Sequence, residues 1–528
     1  MLLHPATTPA SVAFEDLTAR AGIQVILHNS PTAAKHQIET MAGGLAAFDY
    51  DGDGLLDIFV TNGAQQPGLL KPGPAWWNRL YRNRGGGVFE DVTAKAGLEG
   101  EGFSMGAAAA DYDNDGHTDL FVAGVKHNTL YHNRGDGVFE DVTAKAGIHD
   151  EPWSMAAGWF DYDGDGLLDL FVVNYVDWNP DREPECKDPH SGEQAHCDPR
   201  LYTGLPNTLY RNNGDGTFTD VSAAAGIRQH AGKGMSVAFA DYDGDGRMDA
   251  FVTNDTLPNF LFHNEGNGRF TEVAVRAGVA FNDDGRALSS MGVDFRDVNN
   301  DGRPDLFVTA LVNETYPLYR NLGKGLFGDF TYRSRVGAAT IATTGWGNGI
   351  YDFNNDGRKD LFCANGDLNE NAEQISGRAA RQTNIVLAQL PGGTFEPVKI
   401  GPAARYRGAA FGDFDNDGRV DVVVSRIGER PLLLRNTSPG GHRWLGLKLV
   451  GRRGNRDGIG ARIHVKTAAG EQWNHVTTSV GYASSSDVRV NFGLGAERRA
   501  TVEIRWPGGQ LQSLGEISAD HYLTVKEP

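Results

Sequence analysis

Seven times the chain repeats one nonapeptide, Asp-x-Asp/Asn-x-Asp-Gly-x-x-Asp, and this repeat narrows the possible folds more than any other feature. The copies read DYDGDGLLD (Asp49 to Asp57), DYDNDGHTD (Asp111 to Asp119), DYDGDGLLD (Asp161 to Asp169), DYDGDGRMD (Asp241 to Asp249), DVNNDGRPD (Asp297 to Asp305), DFNNDGRKD (Asp352 to Asp360) and DFDNDGRVD (Asp413 to Asp421). Successive copies start 62, 50, 80, 56, 55 and 61 residues apart. A period of that length marks a repeat architecture. A contiguous calcium β-roll, with its repeat of about nine residues, is excluded.

The spacing has a chemical reason. A hard cation such as calcium takes six to eight oxygens at roughly 2.3–2.6 Å. Positions 1, 3 and 5 of a tight loop aim side chains at one centre, Gly at 6 permits the turn, and the carbonyl at 7 and carboxylate at 9 close the shell. The expected ligands are Asp49, Asp51, Asp53 and Asp57; Asp111, Asp113, Asp115 and Asp119; Asp161, Asp163, Asp165 and Asp169; Asp241, Asp243, Asp245 and Asp249; Asp297, Asn299, Asp301 and Asp305; Asp352, Asn354, Asp356 and Asp360; and Asp413, Asp415, Asp417 and Asp421. Asn299 and Asn354 keep an oxygen but lose a charge, so loops five and six bind more weakly. An EF-hand needs Glu at position 12. Here that position is Val or Cys363 inside apolar runs, so strands flank the loops.

One unit reads cleanly in 104–146: a small-residue strand Ser104–Tyr112, the loop, a strand Leu120–Val125, NTLYHN, a Gly turn and VFEDVTA. Four short strands joined by hairpins, repeated radially, make propeller blades. Seven loops meet only six fourth strands downstream. The missing copy is FEDLTARAG, Phe14–Gly22, so the N-terminal strand is expected to close the last blade. The expected fold is all-β: a seven-bladed propeller over 12–437, then a small β-sandwich over 440–528, where alternating strands lack calcium loops.

At this point the chain resembles a known family. The loops resemble the FG-GAP/VCBS repeats of integrin-α-like propellers. The tail, with NRDGIGARI (Asn455–Ile463), VGYASSSD (Val480–Asp487), NFGLG (Asn491–Gly495) and VEIRWPGG (Val502–Gly509), resembles the ASPIC/UnbV domain. Together they resemble the cartilage-acidic-protein family and its bacterial relatives. The resemblance implies a secreted, calcium-binding protein and no particular reaction, since propellers host many unrelated functions.

Charge agrees with the loop reading. There are 68 acidic and 49 basic residues, a net of −19, and 26 of the carboxylates lie in the seven loops. Seven calcium ions would bring the net to about −5. No Lys/Arg-rich stretch offers a face to nucleic acid or an anionic membrane. No run of about 18 apolar residues spans a bilayer.

Of three cysteines, Cys186 and Cys197 lie in the polar insertion Tyr175–Pro206, where a disulfide would staple a segment too polar to form its own core. The alternative, a zinc site from Cys186, His190, His196 and Cys197, fits no standard spacing. Cys363 reads as a buried thiol. A disulfide and weak calcium loops both suit an extracellular or periplasmic protein. The opening MLLHPATTPASVA lacks the n- and h-regions of a signal peptide, so the signal lies outside this numbering or export is atypical.

The calcium loops share one face, and the long segments 23–42, 64–77, 175–206, 279–289 and 366–383 lie on the other. The innermost strands begin near Gly43, Met105, Met155, Met235, Met291, Trp346 and Arg407. This ring reads as axial packing, with a soft funnel lining or thioether copper site as the alternative. Around it, Lys35, Trp153, Lys233, Asn254, Asp255 and Arg405 are candidate ligand-funnel residues, and His36, Glu39 and Arg407 candidate catalytic ones. No nucleophile elbow, phosphate loop or zinc His pair accompanies them. Trp76–Trp77 reads equally as an exposed platform or a blade cap; Trp444, Trp473 and Trp506 read as sandwich core. The leading function is a binding or adhesion module for protein or glycan. An enzyme with its site in the funnel, or a subunit of an extracellular assembly, are the alternatives. Deleting residues 1–22 is expected to lower the melting temperature sharply; an unchanged transition removes the closure idea.

Overall fold

The structure, a computed structural model, describes residues 12–148 and 152–528. The opening segment 1–11, on which the export reading rests, lies outside the described residues.

Each nonapeptide sits in a hairpin because its ends meet strand-formers: small residues before it and a β-branched and aromatic run after it. The first sheet is Leu45–Phe48, Asp57–Val60, Arg79–Asn83 and Phe89–Asp91. The second is Phe103–Ala110, Asp119–Val125, Thr129–Asn133 and Phe139–Asp141. The same antiparallel order recurs in the sheets that begin at Ser154–Phe160, Gly234–Ala240, Val293–Arg296, Gly345–Tyr351 and Tyr406–Gly412. In the seventh sheet the fourth strand is Phe14–Asp16, paired with Leu432–Asn436 in the register Phe14↔Asn436, Glu15↔Arg435, Asp16↔Leu434. The seven first strands pack side by side in cyclic order, the seventh against the first. The all-β propeller is therefore a closed ring with no open sheet edge between its first and last blades.

The first and second strands are buried along their whole length, for example Phe103–Ala110 and Asp119–Val125. They show no alternation of buried and exposed residues, because each sheet is covered on both faces by its neighbours and both sets of side chains are internal. The fourth strand is shorter than VFEDVTA suggests. Asp141 Oδ1 accepts the Thr143 backbone N–H at 3.0 Å and turns the chain after three strand residues.

The tail forms two sheets. Arg443–Val450 lies between Val490–Gly495 and the parallel strand Tyr522–Lys526. Arg462–Lys466 lies between Glu471–His475 and Arg499–Arg505, with Leu511–Ser518 outside. Leu445, Leu447, Ile463, Val465, Phe492, Val502, Ile504 and Trp506 pack between them. Trp506 is core, as read from the sequence. Trp444 and Trp473 are not: both are only partly buried and cover the position-6 glycines Gly418 and Gly302 of two loops, where a Cβ would collide with the indole or press against it.

The tail docks on the loop face and sends one segment, Thr477–Asp487, into the axis of the ring. Its backbone pairs with the inner strands: Ala107 N–H donates to Ala483 O (3.1 Å), Ser485 N–H to Leu45 O (2.8 Å), Gly481 N–H to Val293 O (2.8 Å) and Asp487 N–H to Phe411 O (2.9 Å). Glycine is required where this segment passes: a Cβ on Gly44 would lie 2.4 Å from Ala483 O, and one on Gly408 2.6 Å from Ser484 Oγ. At the tip Tyr482 is fully buried and clusters with Met41, Met105, Met155, Met235, Met291 and Trp346. The methionine ring is thus packing around a tyrosine. Tyr482 Oη donates to Met41 O at 2.8 Å. Tyr482→Ala is expected to cost about 3–5 kcal/mol and Tyr482→Phe about 1 kcal/mol, read by denaturant unfolding; equal costs would show that the ring packing contributes nothing.

Candidate metal centres

The ninth-position aspartate anchors every loop. Asp57 Oδ1 accepts the Asn83 N–H (2.7 Å) and its Oδ2 the Tyr50 N–H (3.1 Å). Asp119, Asp169, Asp249, Asp305, Asp360 and Asp421 make the same two bonds. These carboxylates are buried, and burial pushes Asp57 up to about 8 and Asp119, Asp249 and Asp305 up to about 7. The first-position aspartate accepts the N–H of position 6, as Asp49 does from Gly54 at 3.0 Å.

Positions 1, 3, 5 and 9 converge. Ligand oxygens of Asp49, Asp51 and Asp53, of Asp111, Asp113 and Asp115, and of Asp161, Asp163 and Asp169 lie within 4.8 Å of one another. Three position-3 oxygens, Asp51 Oδ1, Asn299 Oδ1 and Asp415 Oδ1, are buried without a hydrogen-bond partner. An all-oxygen set with unpartnered atoms aimed inward fits a hard divalent cation.

Two kinds of residue were missed in the sequence. The residue before the third-strand Asn leans over the loop: Arg82 Nε lies 2.6 Å from Asp51, His132 Nδ1 3.2 Å from Asp119, His263 Nδ1 3.2 Å from Asp249, and Arg435 Nε 2.8 Å from Asp415. The hydrogen bond that His132 donates to Asp119 holds His132 up at about 9. The Asn itself bridges blades. Asn83 Nδ2 donates to Leu56 O in its own loop (3.0 Å) and to Phe414 O in the preceding one (2.8 Å). Asn133, Asn212, Asn264, Asn321, Gln389 and Asn436 do the same around the ring. The signal was the recurrent LYRN, which strand-pattern reasoning alone treats as an edge.

Position 4 sets the gap between loops. Asn114, Asn300, Asn355 and Asn416 donate to the position-6 carbonyl of the next loop, at Gly166, Gly357, Gly418 and Gly54. Loops one, three and four have Gly there. Beside Gly52 a cavity of about 220 Å³ opens between loops one and two under the tail, lined by Asp49, Asp111, Lys448, Arg456, Asp457 and Thr478. Another of about 140 Å³ lies between loops three and four. The tail touches two first-position aspartates: Tyr522 Oη donates to the Asp413 carboxylate (2.8 Å), and Asp457 Oδ2 accepts the Asp111 backbone N–H (2.9 Å).

The funnel candidates gather at the opposite mouth, where they seal it. Cys186 and Cys197 form a disulfide in the insertion, and Cys363 is a buried thiol. Buried Glu183 accepts from His36 Nδ1 (2.7 Å), Gln37 N (2.8 Å), Trp178 Nε1 (2.7 Å) and Tyr202 Oη (2.6 Å). Burial pushes Glu39 upward, yet its Oε1 caps Thr32 and the His36 N–H. Arg407 is fully buried, donates to Thr40 O (2.6 Å) and stacks 3.9 Å from Trp346; burial lowers it to about 9. Lys35 pairs with Glu370 at 2.8 Å, with Arg405 3.9 Å from the same residue. Tyr175 Oη donates to Asp255 Oδ2 (2.8 Å), and burial lifts Asp255 to about 6. Asn254 Nδ2 donates to Pro258 O, Lys233 is buried and lowered, and Trp153 packs edge-on to Tyr175 and Trp178. Trp76 is half-buried against His28.

Comparison with known proteins follows this geometry. The profile described as FG-GAP-like repeat matches residues 49–122, 111–172, 201–252, 241–308, 297–363 and 352–424, and the one described as ASPIC and UnbV matches 451–528. Cartilage acidic protein 1 of Mus musculus is 30% identical over 319 residues, 57% of this chain and 46% of that protein; the Homo sapiens protein is 30% identical over 318 residues, 57% and 45%. The chain spans about half the length of these relatives. Among solved structures, an Agrocybe aegerita lectin described by its recognition of non-reducing terminal N-acetylglucosamine is 17% identical with a TM-score of 0.39, over 74% of this chain and 86% of its own.

In the metal-free chain, raised ninth-position carboxylates bind protons that the unfolded chain releases near pH 4. Stability of chelator-treated protein therefore falls as pH rises from about 4 through about 7–8. A divalent cation bound at these loops would hold the groups ionised, and adding calcium would then reverse the slope. Melting curves at pH 5 and 8 check this, and a chelated protein more stable at pH 8 contradicts it.

Proposed function

We propose that this chain, which belongs to the FG-GAP-like repeat family and ends in an ASPIC and UnbV domain, is a calcium-stabilised extracytoplasmic module. It binds protein or glycan through the outer surfaces of its propeller, taken as residues 12–437. The observation that carries this reading is the axis. A propeller enzyme holds its substrate in the central funnel; here Tyr482 fills that funnel from the loop face and the disulfide-closed insertion covers the other mouth. His36, Glu39 and Arg407 are each bonded to the chain's own groups. The tail is docked on the loop face of its own propeller, which leaves the outer rim of the ring for a partner.

Calcium would be held by the carboxylates and Asn oxygens at positions 1, 3, 5 and 9 of each loop. When bound it supplies the positive charge that these buried acids otherwise take from protons and from neighbouring Arg and His. At calcium one- to tenfold over the dissociation constant, binding contributes about 0.4–1.4 kcal/mol per site. The disulfide and the millimolar calcium such loops require both suit a compartment outside the cytosol. The names of the relatives agree with an extracellular place.

The test is elemental analysis of the purified chain with melting in calcium and in chelator. Bound calcium and a melting temperature at least several degrees higher in calcium are expected. No bound calcium and identical melting would defeat the reading.

A further inference from the structure

Loops five and six differ from the other five in more than their missing carboxylate. Position-8 residues line the gaps between neighbouring loops: Leu56 and Thr118 line the cavity between loops one and two, Met248 those between three and four and between four and five, and Pro304 the latter. Leu168 and Val420 are the other neutral occupants, and only loop six has a cation there, Lys359. Its side chain is buried, 4% exposed, and its Nζ donates to Asn300 Oδ1 of loop five at 2.6 Å. Asn300 Nδ2 in turn donates to Gly357 O of loop six at 2.9 Å. Burial and the guanidinium of Arg296 disfavour the charge on this ammonium, while Asp297 and Asp305 of loop five and Asp352 of loop six favour it.

We infer that Lys359 is a built-in cation shared by loops five and six, and that it makes them the weak members of the set, leaving five tight calcium sites. This rests on the calcium reading above and specifies which sites obey it. The third-strand and loop cations over the other sites are all more exposed than Lys359, from 13% at His263 and 19% at Arg320 upward. Arg247, which pairs with Asp245, is 40% exposed at its side chain, and Arg82 is 28% exposed. Such side chains swing into water when a metal enters, at little cost. Lys359 lies between two loops locked together by Asn300 and cannot leave without opening both. A calcium ion entering either loop meets a fixed positive charge within the same low-dielectric gap, and such repulsion between close charges lowers affinity by roughly tenfold or more. Removal of the position-3 charge at Asn299 and Asn354 is then a matching feature: fewer acids accompany a cation that is always present.

Calorimetric titration of the chelator-stripped full chain with calcium tests this. Wild type is expected to show five tight sites and two weaker ones. Lys359→Met should tighten the weaker pair about tenfold and leave the five unchanged. Thr118→Lys carries the device to the open cavity between loops one and two and should weaken two of the tight sites. If Lys359→Met leaves the weak class unchanged, or Asn299→Asp with Asn354→Asp restores seven equal sites while Lys359 remains, the inference falls. Should Lys359→Met not fold, unaltered binding by Thr118→Lys overturns it alone. Wild type that binds no calcium at all overturns the calcium reading instead.

Discussion

The ring depends on one side-chain amide repeated seven times. Each third strand carries Asn at or near its end, or Gln389 in the sixth sheet, and this amide spans two loops: the carbonyl at position 8 of its own and the carbonyl at position 2 of the preceding one. Two otherwise orphaned buried carbonyls are satisfied per blade, and leaving a buried carbonyl unpaired costs about 1–3 kcal/mol. Because Asn83 reaches Phe414 of the last loop, the series has no end. The same junctions carry apolar contact: Tyr50 packs on Phe139, Tyr242 on Phe327, Phe414 on Phe89, and Phe353 on Phe14 of the N-terminal strand. Blade number, closure and loop position are thus set by one joint.

That joint brings acids together. Each loop places a buried ninth-position carboxylate beside two or three others, and like charges in a dry site are unfavourable unless neutralised. Protons, Arg and His from the third strand, the buried Lys359 and a bound metal are four answers to the same demand. They differ in how readily they exchange. Protons and exposed arginines leave without disturbing the fold; Lys359 does not. The seven loops are therefore chemically unequal even though their backbones superpose in pattern.

The tail makes the second constraint. Its segment Thr477–Asp487 adds backbone hydrogen bonds to inner strands whose axial edges would otherwise face an empty channel. Small residues at the matching register of those strands, such as Gly44 and Gly408, exist for that passage. Tyr522 and Asp457 of the same tail reach first-position aspartates, so the tail that fills the axis also contacts the loops.

How much of this was legible in the chain varies with the kind of interaction. Local chemistry was readable: Asp at 1, 3, 5 and 9 with Gly at 6 specifies a tight acidic hairpin, and counting seven loops against six downstream Phe strands points to Phe14–Asp16, because turn geometry and strand pairing have short periods in sequence. The methionine ring was visible as a register, but not what it surrounds, since Tyr482 lies more than 190 residues beyond Met291, the last of its methionines. Trp444 and Trp473 alternate like core residues; only docking shows that their partners are loop glycines. His36, Glu39 and Arg407 read from the sequence as neighbours of one mouth; the bonds of His36 to Glu183 and of Arg407 to Thr40 join segments far apart in the chain, while Glu39 caps Thr32 within its own segment. The sequence by itself determined the repeat, the acidic loops and the closing strand, because these follow from spacing within a few dozen residues. Tertiary structure alone decided that the axis is filled and that Lys359 joins two loops, because burial and charge proximity belong to residues that the chain brings together only after the ring has closed.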